Sequence, residues 1–338
     1  PLAPPRTLTA HPLPIGRVAL SAGGSVEDGA AAAWVARERG DPEVNVARLD
    51  RTGRTIHEAR LTRAKGDATD VALAWAGDGW IVAWVDGRDG NGEVYATKVD
   101  RDLKRVGREY RITTAPGDAG GVALAAAGDV VWIAWSDPRD SPREGTADIF
   151  VAQLRAADAA PVAASSGVRE LRVASTARHS RSPSIAATLD GGALVGWIEA
   201  GPAGVEAGAD AMIARIDSAL RVAASPAVWS CGAPASGAAG PPLGGAHPSA
   251  IILARGGSGV RAVVACAAPD GITLETKTFR NDGIADATDV APLPLLDLDA
   301  PPSFEVTLAL AGDGLIFDDV GRSRRDHRVR RAAVAWPR

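Results

Sequence analysis

The sequence predicts an all-β chain folded as a six-bladed β-propeller with four-stranded blades. Three observations predict it. Short apolar runs built around tryptophan recur along the chain, their apolar spacing has a period of two, and glycine and proline interrupt the chain too often for long helices. The clearest run, Gly79-Trp80-Ile81-Val82-Ala83-Trp84-Val85-Asp86-Gly87-Arg88-Asp89, returns as Val130-Val131-Trp132-Ile133-Ala134-Trp135-Ser136-Asp137-Pro138-Arg139-Asp140. Weaker copies surround Trp34 and Trp197, and residues 260–267 form a fifth, in which Cys266 is read as taking the tryptophan position.

Each unit begins with a strand ahead of the tryptophan strand, at 18–20, 71–74, 122–125, 184–187 and 249–253. A third strand follows at 43–49, 93–99, 148–154, 210–216 and 272–279, and a fourth at segments such as 111–114 or 170–173. The sixth unit uses 304–310, 315–317 and 329–335 and is one strand short. Residues 6–9, which echo the segment from Arg111, are expected to supply it and so close the ring. The blades then span roughly 16–64, 65–115, 116–175, 176–243, 244–302 and 303–338 as a single domain. In the second unit Trp80, Val82 and Trp84 line one face and Ile81, Ala83 and Val85 the other. Strands apolar on both faces must be covered on both, which neighbouring blades provide; a two-sheet β-sandwich is the competing architecture.

Composition narrows the functional classes. The 338 residues carry 46% hydrophobic side chains, enough for a large core. With 37 Lys and Arg against 41 Asp and Glu there is no overall cationic field, so no nucleic-acid partner is expected, and the arginine cluster at 322–331 reads as a local charged edge. No apolar run reaches the ~18 residues of a membrane span. The start Pro1-Leu2-Ala3-Pro4-Pro5 suggests a processed chain from an exported bacterial protein. Cys231 and Cys266 allow at most one disulfide, and a bridge and a free buried thiol both remain open.

At Trp84-Val85-Asp86-Gly87-Arg88 with Glu93-Val94-Tyr95-Ala96, and at Trp135-Ser136-Asp137-Pro138-Arg139 with Asp148-Ile149-Phe150-Val151, the chain resembles bacterial exported β-propeller repeat proteins of the sialidase-like superfamily. That group includes glycoside hydrolases, lectins and proteins without known activity, so architecture alone does not choose a function. A sialidase proper would imply an arginine triad, a tyrosine nucleophile and an acidic partner. The only tyrosines are Tyr95 and Tyr110, and Ala76-Gly77-Asp78-Gly79-Trp80 keeps only a fragment of that family's aspartate box, so a sialidase proper is not expected.

Candidate site residues fall at the ends of the repeated strands. Asp86, Arg88 and Asp89 recur as Asp137, Arg139 and Asp140, where an arginine-carboxylate pair fixes each loop or, in a functional reading, meets a polar ligand. Asp86, Asp89, Asn91 and Glu93 also place oxygen ligands on a glycine-rich loop suited to calcium, the one cofactor considered. His179 and His247 lie just ahead of first strands and are candidates for a ligand site at the ring opening. Glu199 and Asp318 are the candidate acid/base pair if the chain is a glycosidase. With a strong repeat and few catalytic signals, the leading expectation is a non-enzymatic exported binding or scaffold protein that recognises a carbohydrate or a protein through one face. The alternative is a glycoside hydrolase or lyase with carboxylates at the central opening.

Overall fold

A computed structural model describes residues 18–280, apart from 26, 38–39, 51–52, 141–145, 174–175, 201–208, 232–246, 256–258 and 269–270. Beyond 280 it describes the backbone of four strands, Ala291–Leu293, Thr307–Ala311, Gly314–Val320 and His327–Ala333. The predicted closing strand at 6–9 lies outside the described residues.

Every regular element described is a strand, and the strands form antiparallel sheets in chain order. The first sheet holds β1 (Ala19–Ala22), β2 (Ala30–Ala36), β3 (Glu43–Leu49) and β4 (Thr55–Arg60), and the second β5 (Ala68–Trp75), β6 (Gly79–Asp86), β7 (Glu93–Asp100) and β8 (Arg105–Arg111). The third holds β9 (Gly120–Ala127), β10 (Val130–Asp137), β11 (Asp148–Arg155) and a fourth position split between β12 (Pro161–Val162) and β13 (Glu170–Arg172). The fourth holds β14 (His179–Ala187), β15 (Ala193–Ala200), β16 (Asp210–Ile216) and β17 (Val222–Trp229). The fifth holds β18 (His247–Arg255), β19 (Gly259–Ala268), β20 (Gly271–Arg280) and β21 (Ala291–Leu293). The last has β22 (Thr307–Ala311), β23 (Gly314–Val320) and β24 (His327–Ala333). Most expected strands appear within a few residues of their predicted positions. The fourth strand of the second sheet ends at Arg111 rather than beginning there, because its register against β7 pairs Arg111 with Tyr95.

The first strands pack against one another in the order β1, β5, β9, β14, β18, β22, and β22 returns to β1. This cyclic packing of antiparallel sheets is a propeller arrangement. The reason lies in the two-faced second strands. Trp80, Val82 and Trp84 pack with Val35, Val44 and Val46 of the first sheet, while Ile81, Ala83 and Val85 pack with Ile133 and Trp135 of the third. Trp132 and Ala134 then meet Val195 and Trp197 of the fourth, and Leu194 and Ile198 meet Val264 and Cys266 of the fifth. Trp34, Trp80, Trp84, Trp132, Trp135 and Trp197 are all fully buried. At about 25 cal/mol per Å² of apolar surface removed from water, these rings are the largest single contributors to joining the sheets.

A glycine opens the second strand in four sheets because the backbone of the third strand leaves no room for a Cβ. At Gly79 and Gly259 an added Cβ would run into the carbonyl oxygens of Val99 and Phe279. Counting from these glycines fixes equivalent positions. Trp34, Trp84 and Trp197 stand five residues on, but Cys266 stands seven residues after Gly259, level with Asp86 and Glu199. The expectation that Cys266 fills a tryptophan slot is therefore corrected: Val264 fills it, and Cys266 replaces the carboxylate at the strand end. Cys266 is bonded to Cys231, with Cα atoms 5.7 Å apart, so the pair is a disulfide rather than a free thiol.

Polar stitches tie each of the first three sheets to the next on the face opposite the strand-end carboxylates. Arg48 donates to the carbonyl of Arg101 at 3.2 Å, Lys98 to that of Ala156 at 2.8 Å and Gln153 to that of Ser218 at 3.1 Å. All three occupy the sixth residue of a third strand, and each reaches a turn of the following sheet.

Candidate functional site

Antiparallel order brings the ends of the second strands and the starts of the first and third strands to one face of the ring. Asp86, Asp137, Glu199, His179 and His247 all lie at that face. In the second and third sheets the chain itself consumes the carboxylates. Asp86 accepts from Trp84 Nε1 at 3.1 Å, from the Arg88 amide at 3.0 Å and from the Arg88 guanidinium. Asp137 repeats this with Trp135 at 3.2 Å, the Arg139 amide at 2.9 Å and the Arg139 guanidinium at 2.6 Å. Each arginine continues to an outer carboxylate, Glu109 or Glu170, and lies over the ring of Tyr95 or Phe150. Asp86 and Asp137 are almost wholly buried, so these assemblies are built as loop fasteners.

The third-strand carboxylates are tied down by a pattern the sequence reading missed. Arg60 and Thr62 bind Glu43, and Arg111 and Thr113 bind Glu93, while the two threonine hydroxyls accept the amides of Val44 and Val94. The Arg-x-Thr spacing in both copies was the signal available. The proposed calcium ligands are thereby divided among other partners. Asp86 belongs to Arg88, Asp89 to Tyr95 and Arg111, Asn91 donates to Glu93 and to the carbonyls of Ala115 and Gly117, and Glu93 belongs to Arg111 and Thr113. Two guanidinium groups already hold the positive charge a calcium ion would bring. Among the described residues the one cluster at metal-ligand spacing is Cys231, Cys266 and Glu275, whose sulfurs are spent in the disulfide.

Tyr95 does not have the setting of a nucleophile. Burial first, and then its hydrogen bond to Asp89, push its hydroxyl well above the ordinary value for tyrosine. Asp140 is exposed, its carbonyl bonded by Arg172. His179 and His247 occupy the same register position, opposite Ala200 and Ala267, in adjacent sheets. The Nδ1 atom of each is buried without a hydrogen-bond partner. Burial, and next the nearby Arg181, lower the pKa of His179, favouring its neutral form. Asp318 lies in β23 paired with Thr307 and Val329; its side chain is outside the described residues.

The fourth sheet departs from the pattern. Glu199 stands where Asp86 and Asp137 stand, yet Gly201 replaces the arginine two residues on. Glu199 is 3% exposed, and among the described residues its carboxylate has no hydrogen-bond or ion-pair partner. Trp197 Nε1 and the hydroxyl of Ser180, which pairs opposite Glu199, are likewise buried without partners. Directly across on the other side is Asp210, held by Arg178 at 2.8 Å and Ser230 at 3.0 Å. Cross-strand neighbours have Cβ atoms about 4.5–5.5 Å apart, so the two carboxylates share one patch.

No protein-family model matches the chain, and no curated protein matches it in sequence. Solved structures do match in shape. One is a variant of the α-L-arabinofuranosidase of Fusarium graminearum in complex with an iminosugar inhibitor, at a TM-score of 0.59 and 11% identity, covering 94% of this chain and 92% of that one. Another is the subtype N10 neuraminidase-like protein of the strain A/little yellow-shouldered bat/Guatemala, at a TM-score of 0.54 and 11% identity with the same coverage. The chain is thus an all-β propeller of sialidase-like architecture. The expectation of a non-enzymatic binding or scaffold protein is corrected here. Two of the matched structures are of that arabinofuranosidase, a glycoside hydrolase, which favours the enzyme alternative.

Proposed function

We propose that this chain is an exported, six-bladed β-propeller glycoside hydrolase acting on a carbohydrate at the face that carries the strand-end carboxylates. The observation that carries the reading is the release of Glu199. A position fastened by tryptophan and arginine in two sheets is left buried and, among the described residues, unclaimed in the fourth, beside Asp210. The six sheets found in cyclic order support six blades, and the Cys231–Cys266 bridge supports an oxidising, extracytoplasmic setting.

Glycosidic cleavage needs one carboxyl group to protonate the departing oxygen and a second to attack the anomeric carbon or activate water, about 5–9.5 Å apart. Glu199 fits the proton donor, since among the described residues no donor occupies its oxygens. Asp210 fits the second role, since Arg178 and Ser230 fix its orientation and leave its carboxylate partly open. Ser180 offers an unspent hydroxyl to a sugar hydroxyl.

The test is hydrolysis of a panel of aryl pyranosides and furanosides, including arabinofuranosides and sialosides, by wild type and by Glu199→Gln, Asp210→Asn and Asp318→Asn. General acid catalysis is worth about 10²–10⁴ in rate. Glu199→Gln should lose at least about a hundredfold in kcat on poor leaving groups and much less on dinitrophenyl glycosides, which need no proton. Wild type inert on every glycoside, or Glu199→Gln as active as wild type, would overturn the proposal.

A further inference from the structure

A second concave site lies on the outer side of the ring, away from Glu199. Where β4 runs into β5, the first sheet diverges from β8 of the second and leaves a cavity of about 550 Å³, within the usual range for small-molecule sites. Its polar lining is arginine-rich: Arg60, Arg63, Arg88 and Arg105 surround it with Glu109, and Leu103 forms its apolar floor.

Guanidinium groups this close repel one another unless carboxylates or a ligand compensate. Arg60 is paired with Glu43 at 2.7 Å, Arg88 with Asp86 and Glu109, and Arg105 with Glu109 at 3.3 Å. Arg63 is exposed and has no partner among the described residues. Four guanidinium groups thus face three carboxylates and leave one positive charge in excess. The forks are held in place by the carbonyls of Thr62 and Leu61, which accept from Arg60 at 3.0 Å and Arg105 at 3.0 Å, and not every N–H is spent. A pre-set fork with free N–H groups suits a planar carboxylate. The single excess charge suits a monoanion better than a phosphate dianion, and Glu109 inside the cavity accepts from hydroxyl groups.

We infer that this cavity binds a uronic acid residue of an acidic oligosaccharide, Arg63 and Arg105 taking the carboxylate and Glu109 the ring hydroxyls. The site is separate from the Glu199 patch and does not depend on the hydrolase reading.

Isothermal titration with trigalacturonic acid, neutral galactotriose and inorganic phosphate tests it. The Glu199→Gln protein serves as the background for every titration, so that cleavage cannot consume the ligand. The expected result is binding of trigalacturonic acid that weakens with added salt and is not matched by the neutral trisaccharide. Arg63→Ala should weaken it by about tenfold and Arg63→Glu abolish it, whereas Glu109→Gln, which removes a negative charge and keeps a hydrogen-bonding group, should tighten it several-fold. Because Arg63 is exposed, its variants should melt with the parent. Equal binding of the neutral sugar, an affinity indifferent to Arg63, or phosphate bound as tightly as the trisaccharide would each overturn the assignment.

Discussion

Replacing Lys98 by methionine tests whether the stitches between sheets carry stability or merely fill space. Lys98 is 3% exposed, and its ammonium donates to the carbonyls of Ala76 at 3.2 Å and Ala156 at 2.8 Å and to Asp78 at 2.5 Å. The Asp78 side chain is 74% exposed, so that pair contributes about 0–1 kcal/mol. The two carbonyl bonds decide the magnitude. A hydrogen bond from a charged donor nets about 1.5–3 kcal/mol, and a buried acceptor left empty costs about 1–3 kcal/mol. Relief from burying the ammonium offsets part of this, and methionine keeps most of the stem's packing, which leaves a destabilisation of about 2–4 kcal/mol. The equivalent residue in the next sheet is Gln153, so Lys98→Gln should recover at least half of the loss. Urea unfolding measures it, with a lower midpoint at an unchanged slope as the signature. A Lys98→Met protein within about 0.5 kcal/mol of wild type, or a glutamine variant no better than methionine, would refute the reasoning.

Further outcomes follow from other parts of the ring. Reducing the disulfide, or replacing both cysteines by serine, frees a loop of 35 residues in the unfolded chain and should cost about 3–4 kcal/mol, seen as a lower urea midpoint. Asp158 is held down to about 2 from an ordinary 3.8, chiefly by its hydrogen bond from Arg155. Its contribution is complete above 3.8 and is lost as pH falls towards 2, and Asp158→Asn should flatten a pH titration of stability in that window alone. His179 runs in the same direction at higher pH: burial lowers its folded pKa, so the unfolded chain takes up the proton first and stability falls as pH drops below 6.5, a slope that His179→Gln should remove. Gly66 has φ +111°, and a Cβ there would lie 2.6 Å from the Arg88 amide, so Gly66→Ala should cost at least about 1 kcal/mol in the same unfolding assay.

The repeat was legible because it is written in residues whose role is local. Tryptophan alternating with alanine or valine announces a strand covered on both faces, and Asp86-Gly87-Arg88 with Asp137-Pro138-Arg139 announced the arginine fasteners that the structure forms. Cys266 lies at the strand end rather than in the tryptophan slot because the strand-opening glycine, constrained by the backbone opposite, fixes the count along the strand. Glu199 could be named from its position, but its freedom could not. Gly201 in place of the arginine hinted at it, but that Arg178 turns to Asp210 and to the Glu199 carbonyl rather than to the Glu199 carboxylate is set by the fold and by no residue pattern. The arginine cavity was equally hidden, because Arg60 and Arg63 meet Arg105 and Glu109 only after the first two sheets pack together.

The stitches from Arg48, Lys98 and Gln153 all point the same way, with the donor on the earlier sheet and the acceptor on the later one. On a ribosome this is an order of events. Each donor emerges before the turn that will receive it; Arg48 and Lys98 already have partners in their own sheets, the Glu27 carbonyl for one and the Ala76 carbonyl with Asp78 for the other, and the arrival of the next turn adds the bond that fixes where the new sheet must sit. Over these three junctions the contact has a built-in direction, each earlier sheet holding out the donor that its successor's turn accepts.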